Sequence, residues 1–442
     1  MAWKDAPEAK ALILLGARQT GKTYLVREFA RQNYPSFIEV NFLEDKKAAA
    51  FLAGAESAIE LVSRLSLVVG HEIEQGTLVF LDEVQVAKQI ITLSKFLLDD
   101  GRFDLILSGS LLGTVLEGVA SFPVGYAQIE RMYPLDFEEF AWAMQVPFDI
   151  LEQVRGHYAA RTPLEESLHE RFIKLYRQYI VVGGMPEAVQ RFIDRRYDFG
   201  AARTVDREII EQYRFDIAKY LPRRKLQIRA IFDNIPAQLA KENKRFIMKT
   251  IHEGATYERL EDDFVWLINA GVALPTYLVQ EPRAPLLRTK VTQKFKLFSS
   301  DCGLLLAQNP AAVAMGILSG ECDMNFGATY ENAVAQELAA MGAGLYYYHN
   351  NRRGEVDFLF ETSAGTVIPL EVKSGKDYKL HVALNNLLGS SGFDIPYAYV
   401  LSEHNLSVGE QAGKPVYYLP LYMTMCLAAD CVDSLESLHA EP

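Results

Sequence analysis

The chain is short of cysteine, of long apolar runs and of positive charge. Its 442 residues include four cysteines (Cys302, Cys322, Cys426 and Cys431), all in the last third and unevenly spaced. None of them shows the C-x-x-C spacing of a zinc site. Cys426 and Cys431 could pair as a disulfide. Apolar, reduced thiols are the better reading, which points to a cytoplasmic protein. No apolar run reaches the ~18 residues of a membrane-crossing helix, so no membrane partner is expected. The opening residues lack the basic region and cleavage site of a signal peptide. Acids outnumber bases by 57 to 45, giving a net charge of −12, which argues against indiscriminate nucleic-acid binding.

The charge is uneven, however. From Asp216 to Ser300 there are 15 Lys+Arg against 9 Asp+Glu, a surplus of six, so the rest of the chain carries −18. A basic segment therefore sits inside an acidic protein. Hydrophobic residues make up 49% and charged residues 23%, ordinary for a globular protein. The length suits roughly two to four domains.

Short apolar runs alternate with helical patterns through the first part of the chain. Ala11–Leu15, Phe37–Asn41, Leu78–Leu81 and Leu105–Leu107 read as buried strands, with helices such as Tyr24–Arg31 and Gln89–Leu98 between them. This alternation predicts a parallel sheet covered on both faces. From Leu151 to about Phe215 the chain reads as helical. Residues 216–300 read as three short helices followed by an extended hairpin, with Phe246–His252, then Tyr257–Ile268, then Ala273–Val279 suiting a winged-helix shape. From about residue 326 a second α/β unit is expected: a helix at Thr329–Met341, strands at Leu345–His349, Glu355–Glu361 and Val367–Val372, then a helix near His381–Leu388 and a strand near Tyr397–Leu401.

Gly16-Ala17-Arg18-Gln19-Thr20-Gly21-Lys22-Thr23 fits G-x-x-x-x-G-K-[ST] between a strand and a helix. Glycines let backbone N–H groups curl around phosphate oxygens, and the helix N-terminus adds positive potential. Lys22 would reach the β- and γ-phosphates of ATP, and Thr23 would offer its hydroxyl to Mg²⁺. Leu78–Leu81 then runs into Asp82 and Glu83. Two carboxylates at the end of a buried strand are costly unless they meet a cation or water. Asp82 is the expected Mg²⁺ ligand and Glu83 the base for the attacking water. Ser108 or Ser110, after the next strand, would sense the γ-phosphate, or simply make the turn. For a charge-stabilising arginine the candidates are Arg18, Arg131, Arg161 and Arg171, or one from a neighbouring subunit.

These motifs, with Tyr133-Pro134-Leu135-Asp136-Phe137, Gly183-Gly184-Met185-Pro186-Glu187, Ser300-Asp301-Cys302-Gly303-Leu304 and Gly354-Glu355-Val356-Asp357-Phe358, resemble a broad prokaryotic family. Its members are predicted AAA-type ATPases related to the archaeal-ATPase group, and the resemblance spans nearly the whole chain. It implies a P-loop ATPase domain (1–145), a helical segment (146–215), a winged-helix-like module (216–325) and a restriction-endonuclease-like α/β domain of unknown function (326–442). Tyr126 stands where many relatives have arginine.

In the last of these regions Asp357 opens one expected strand and Glu371-Val372-Lys373 ends the next. Residues i and i+2 share a strand face, so Glu371 and Lys373 point together. Glu331, on the preceding helix, could complete the cluster. This resembles the D…E-x-K arrangement of restriction-type nucleases, in which acids bind Mg²⁺ and lysine positions water. The plainer reading is a Glu371–Lys373 ion pair on a fold kept for packing. Arg223-Arg224-Lys225 and Arg288, Lys290, Lys294 and Lys296 form basic clusters that could meet DNA phosphates or merely face solvent.

The expected activity is ATP binding with Mg²⁺-dependent hydrolysis that regulates a DNA- or protein-directed C-terminal module. The alternatives are an ATP-gated, Mg²⁺-dependent nuclease and a nucleotide-controlled protein-interaction switch. Candidate partners beyond ATP are DNA, another protein and a second copy of the chain.

Overall fold

The structure, a computed structural model, describes residues 3–5, 10–116, 125–220, 224–320, 326–362 and 364–428. The chain divides into two compact units, Met1–Tyr133 with Val265–Val272 and Pro134–Phe264 with Ala273–Pro442. Among the described residues no helix is long and apolar enough to cross a membrane. Cys302 and Cys426 are buried free thiols. Cys322, Cys431 and Arg223 lie outside the described residues.

The first unit is built on five parallel strands: β1 (Ala11–Leu15), β2 (Ser36–Asn41), β3 (Thr77–Asp82), β4 (Phe103–Ser108) and β5 (Ala127–Arg131). Their order is β2-β3-β4-β1-β5. Side chains alternate across a strand, and both faces here are apolar. Leu78 and Phe80 pack with Leu14, Val26, Ala30 and Ile106 on one side. Val79 and Leu81 pack on the other with Ile13, Leu105 and Leu107, under helices that include Ala58–Val69 and Lys88–Leu97. Every residue of β3 is buried. A strand covered on both faces reads as an unbroken apolar run, which is how Leu78–Leu81 stands out in the sequence. The same topology brings the ends of β3, β4 and β1 side by side, the edge where parallel α/β sheets hold ligands.

The second unit begins with helices Phe137–Ala143, Phe148–Ala160, Glu166–Val182, Pro186–Asp194, Phe199–Tyr220 and Lys225–Leu239. A mixed sheet of eight strands follows: β6 (Ala273–Val279), β7 (Lys290–Ser299), β8 (Tyr346–Asn350), β9 (Gly354–Glu361), β10 (Val367–Val372), β11 (Ala398–Ser402), β12 (Ser407–Gln411) and β13 (Lys414–Pro420). Their order is β12-β13-β11-β10-β9-β8-β6-β7. The hairpin expected as a wing, β6–β7, does not stand alone, because β6 pairs in parallel with β8. One continuous hydrogen-bonded sheet therefore crosses the 325/326 boundary drawn from the sequence. The helix expected over Phe246–His252 shortens to one turn, Met248–Thr250. The helix Phe137–Ala143, placed with the ATPase region by the sequence, groups with the second unit.

A single helix organises this second unit. Gly327–Ala340 is buried around its whole circumference from Thr329 to Ala339, although it carries Glu331, Asn332, Gln336 and Glu337. Buried polar groups must find partners, and apart from Glu337 Oε2 these find them largely on distant segments. Asn332 Oδ1 accepts from Ser299 N (2.8 Å) and Gln336 Oε1 from Cys302 N (2.9 Å). Glu337 Oε1 accepts from Phe137 N and from the Tyr179 hydroxyl, both at 2.8 Å. Asp301 accepts from Gly184 N (2.6 Å) and Leu304 N (2.8 Å). Gly184 also lies against Leu135, where an added Cβ would meet the carbonyl oxygen at 2.0 Å. Residues of three sequence motifs, Leu135 and Phe137, Gly184, and Asp301 to Leu304, are thus parts of one buried junction.

Burial pushes the Glu337 carboxyl well above its ordinary range, and the nearby Asp136 charge adds to this. The folded state therefore keeps a proton that the unfolded state releases above the ordinary value of 4.5, so stability falls as pH rises from there. Glu337→Gln removes this slope, which is at most about 1.4 kcal/mol per pH unit. Urea unfolding at about pH 5 and about pH 8 should show wild type losing more stability than the variant. Equal losses would contradict the assignment.

Candidate nucleotide site and carboxylate–lysine cleft

The loop after β1 takes backbone conformations that few side chains accept: φ is 149° at Gly16, 67° at Gln19 and 92° at Gly21. A Cβ on Gly16 would sit 2.3 Å from the Met132 carbonyl oxygen. The helix Lys22–Asn33 starts at Gly21 with no side chain capping it. Thr20 steadies the turn by donating to the Ala17 carbonyl at 3.0 Å. Lys22 is buried, and its ammonium donates to the carbonyls of Gly16 (2.9 Å) and Ala17 (2.7 Å). Burial lowers its pKa to about 8, against the opposing pull of Glu83 and Asp82.

Asp82 is held at the end of β3 by neutral hydrogen-bond donors. Its Oδ2 accepts from Thr23 Oγ1 (2.8 Å) and Asn41 Nδ2 (3.2 Å), and its Oδ1 from Glu83 N (2.9 Å) and the Ser108 hydroxyl. Glu83 follows in a left-handed conformation, φ 58°. Its Oε2 accepts from the Gln85 amide and from Ser110 Oγ at 3.1 Å. The two serines thus divide between the two acids, Ser108 on Asp82 and Ser110 on Glu83. Asn41 and Gln85 were missed as site residues. Asn41 had a signal, since it ends the strand beside β3.

These residues suit a nucleoside triphosphate with Mg²⁺. The loop opens an uncapped helix N-terminus, and the Lys22 ammonium now rests on carbonyls of the loop that would surround phosphate. The Thr23 hydroxyl and the Asp82 carboxylate, the expected Mg²⁺ ligands, already touch.

In the second unit, Glu331, Asp357, Glu371 and Lys373 line one cleft of about 620 Å³ together with Lys244 and Lys376. Lys373 Nζ is 2.8 Å from Glu371 Oε1, and Asp357 Oδ2 accepts from Val372 N at 2.9 Å. Burial, and then the Asp357 charge, push Glu371 up to about 8, against Lys373. The other Glu371 oxygen, Oε2, is buried with no hydrogen-bond partner. Three participants were not anticipated: Lys244, which pairs with Glu331, and Lys296 and Glu355.

The basic clusters come apart. Lys296 is fully buried among acids rather than facing solvent, which removes it from any phosphate-facing run. Arg224 is tied to Asp262 (2.8 Å) and Asp263 (2.7 Å). Arg288 and Lys294 are exposed, and Lys290 lies 3.6 Å from the Tyr277 ring centroid. Of the arginines considered for catalysis, Arg131 and Arg171 are exposed, and Arg161 packs over the Tyr158 and Tyr417 rings.

The strand order, the glycine loop and the acids ending β3 define a P-loop nucleotide-binding unit. Residues 8–141 match the family profile described as an AAA domain, in keeping with the P-loop and the five-stranded parallel sheet of this part of the chain. Residues 173–312 and 326–422 match two domains of unknown function, DUF8612 and DUF4143. Comparison with curated proteins gives no match. Among solved structures the chain is similar to Cdc6p of Pyrobaculum aerophilum, at 13% identity over 72% of this chain and 90% of that one, with a TM-score of 0.25. It is also similar to a RuvB variant of Thermotoga maritima, at 15% identity over 64% of this chain and 85% of that one, with a TM-score of 0.27.

Gly16→Ala should destabilise the first unit by about 2 kcal/mol or more, because the Cβ meets a backbone oxygen in a conformation that disfavours side chains. Chemical denaturation followed by a probe in this unit measures it. Unchanged stability would refute the close approach.

Proposed function

We propose that the chain binds ATP and hydrolyses it to ADP and phosphate with Mg²⁺. The observation that carries this reading is the Asp82 carboxylate, held by Thr23, Asn41 and Ser108 at the mouth of the glycine loop. Its donors are all neutral, so its negative charge remains available to a cation. Mg²⁺, when bound, would neutralise phosphate charge, with Thr23 and Asp82 as its protein ligands. Amides of residues 16–23 would cradle the phosphates, and Lys22 would give its ammonium to the β- and γ-oxygens. Glu83 would accept the proton of the attacking water. To do so it must turn from Gln85 and Ser110, which makes those two residues positioning groups for it.

ATP turnover in Mg²⁺, with and without DNA, tests the proposal. Lys22→Ala should lower turnover by about a hundredfold or more. Glu83→Gln should lower turnover comparably while leaving ATP affinity within about threefold. Wild-type binding without turnover under either condition would overturn the hydrolytic reading and favour a nucleotide-controlled switch that acts on a protein partner.

A second reading is a nuclease-like second unit, favoured by the convergence of Glu331, Asp357, Glu371 and Lys373 on one cleft. Mg²⁺-dependent degradation of DNA that Asp357→Ala abolishes would support it. Absence of cleavage of any DNA or RNA form would remove it.

A further inference from the structure

We infer that the Lys296 ammonium is the resident cation of the carboxylates in the second unit, so that a divalent metal can enter the cluster only if Lys296 is displaced. Lys296 leaves β7 with no solvent exposure. Its Nζ lies 2.7 Å from Glu355 Oε1, 3.5 Å from Glu331 Oε2 and 3.7 Å from Asp357 Oδ1. The ammonium also sits 5.2 Å from the centroid of the Tyr347 ring on β8. A fully buried lysine is rare unless paired, and this one faces carboxylates from both the helix Gly327–Ala340 and β9. Glu355 and Asp357 are two apart on β9, so both point to the same side.

The remaining charges follow the same pattern. Lys244 pairs with the second oxygen of Glu331, and Lys373 with Glu371. With all four carboxylates ionised they face three ammonium groups, a formal balance of −1, which burial of Glu371 moves toward zero. A divalent ion added to this set would leave it at +1, with Lys296 a few ångströms away in a poorly solvated place where like charges repel strongly. Among the described residues no three His, Cys, Asp or Glu side chains are arranged to hold a metal ion. One acceptor remains open in the cleft, the buried and unpartnered Glu371 Oε2.

This inference rests on the geometry of the cleft, not on cleavage of nucleic acid. Mn²⁺ binding to the full-length, nucleotide-free chain, followed by electron paramagnetic resonance, tests it. Wild type should bind no Mn²⁺ that Asp357→Asn removes. Lys296→Met should gain one Mn²⁺ site on the order of a hundredfold tighter than anything at this cluster in wild type, and Lys296→Met combined with Asp357→Asn should lose it. A wild-type Mn²⁺ site sensitive to Asp357→Asn would overturn the inference, as would a folded Lys296→Met chain that binds none. If Lys296→Met does not fold, restoration of its fold by Mn²⁺ supports the inference and failure to restore it overturns it. Mn²⁺ bound by Lys296→Met without cleavage of DNA would sink the nuclease reading alone.

Discussion

A helix buried on every side that nevertheless carries Glu331, Asn332, Gln336 and Glu337 is the constraint around which the second unit is arranged. Each such group must be satisfied internally or it costs folding free energy. Asn332, Gln336 and Glu337 draw in Ser299, Cys302, Phe137 and Tyr179, and Asp301 draws in Gly184 and Leu304. An apolar helix could settle in several registers. These directional bonds, made to backbone N–H groups at particular positions, leave one. They also explain why glycine stands at 184: the backbone of Leu135 comes too close for any side chain there.

The two acid-rich sites use carboxylates in opposite ways. Around Asp82 the donors are hydroxyls and amides, which satisfy oxygen lone pairs without cancelling charge. The negative charge is left without a salt-bridge partner, as the proposed role in holding Mg²⁺ requires. Around Glu331, Glu355 and Asp357 the donors include ammonium groups, above all that of Lys296, so most of the charge is already spent within the protein. The number of acids alone says little about metal binding. The charge on their neighbours decides it.

The first site was legible because its chemistry is local. A phosphate-binding loop needs glycines at fixed offsets, then lysine and threonine at the start of a helix, so Gly16 to Thr23 stands out in a single stretch. Asp82 and Glu83 end an apolar run whose length already marks a buried strand. Of what escaped notice there, Asn41 was marked by its place at the end of the neighbouring strand, whereas Gln85 acts through a side-chain contact that no spacing rule announces. The cleft of the second unit was legible only in part. Asp357, Glu371 and Lys373 follow from strand alternation, but Lys296 was read as one member of an exposed basic run. Its neighbour Lys294 is exposed, and nothing in the composition of that stretch separates the two.

The sequence by itself determined most of the named elements and the glycine loop, because hydrophobic period, glycine placement and strand-end acids act over a few residues. It also carried the motifs of the buried junction without showing that they belong to one place. Tertiary structure decided that the hairpin β6–β7 extends the sheet through β8, that the motifs near 135, 184 and 301 meet around one helix, and that Lys296 turns inward among carboxylates. These outcomes depend on which distant groups share a buried volume, and in such a volume the cost of an unpaired charge or hydrogen bond selects the partners.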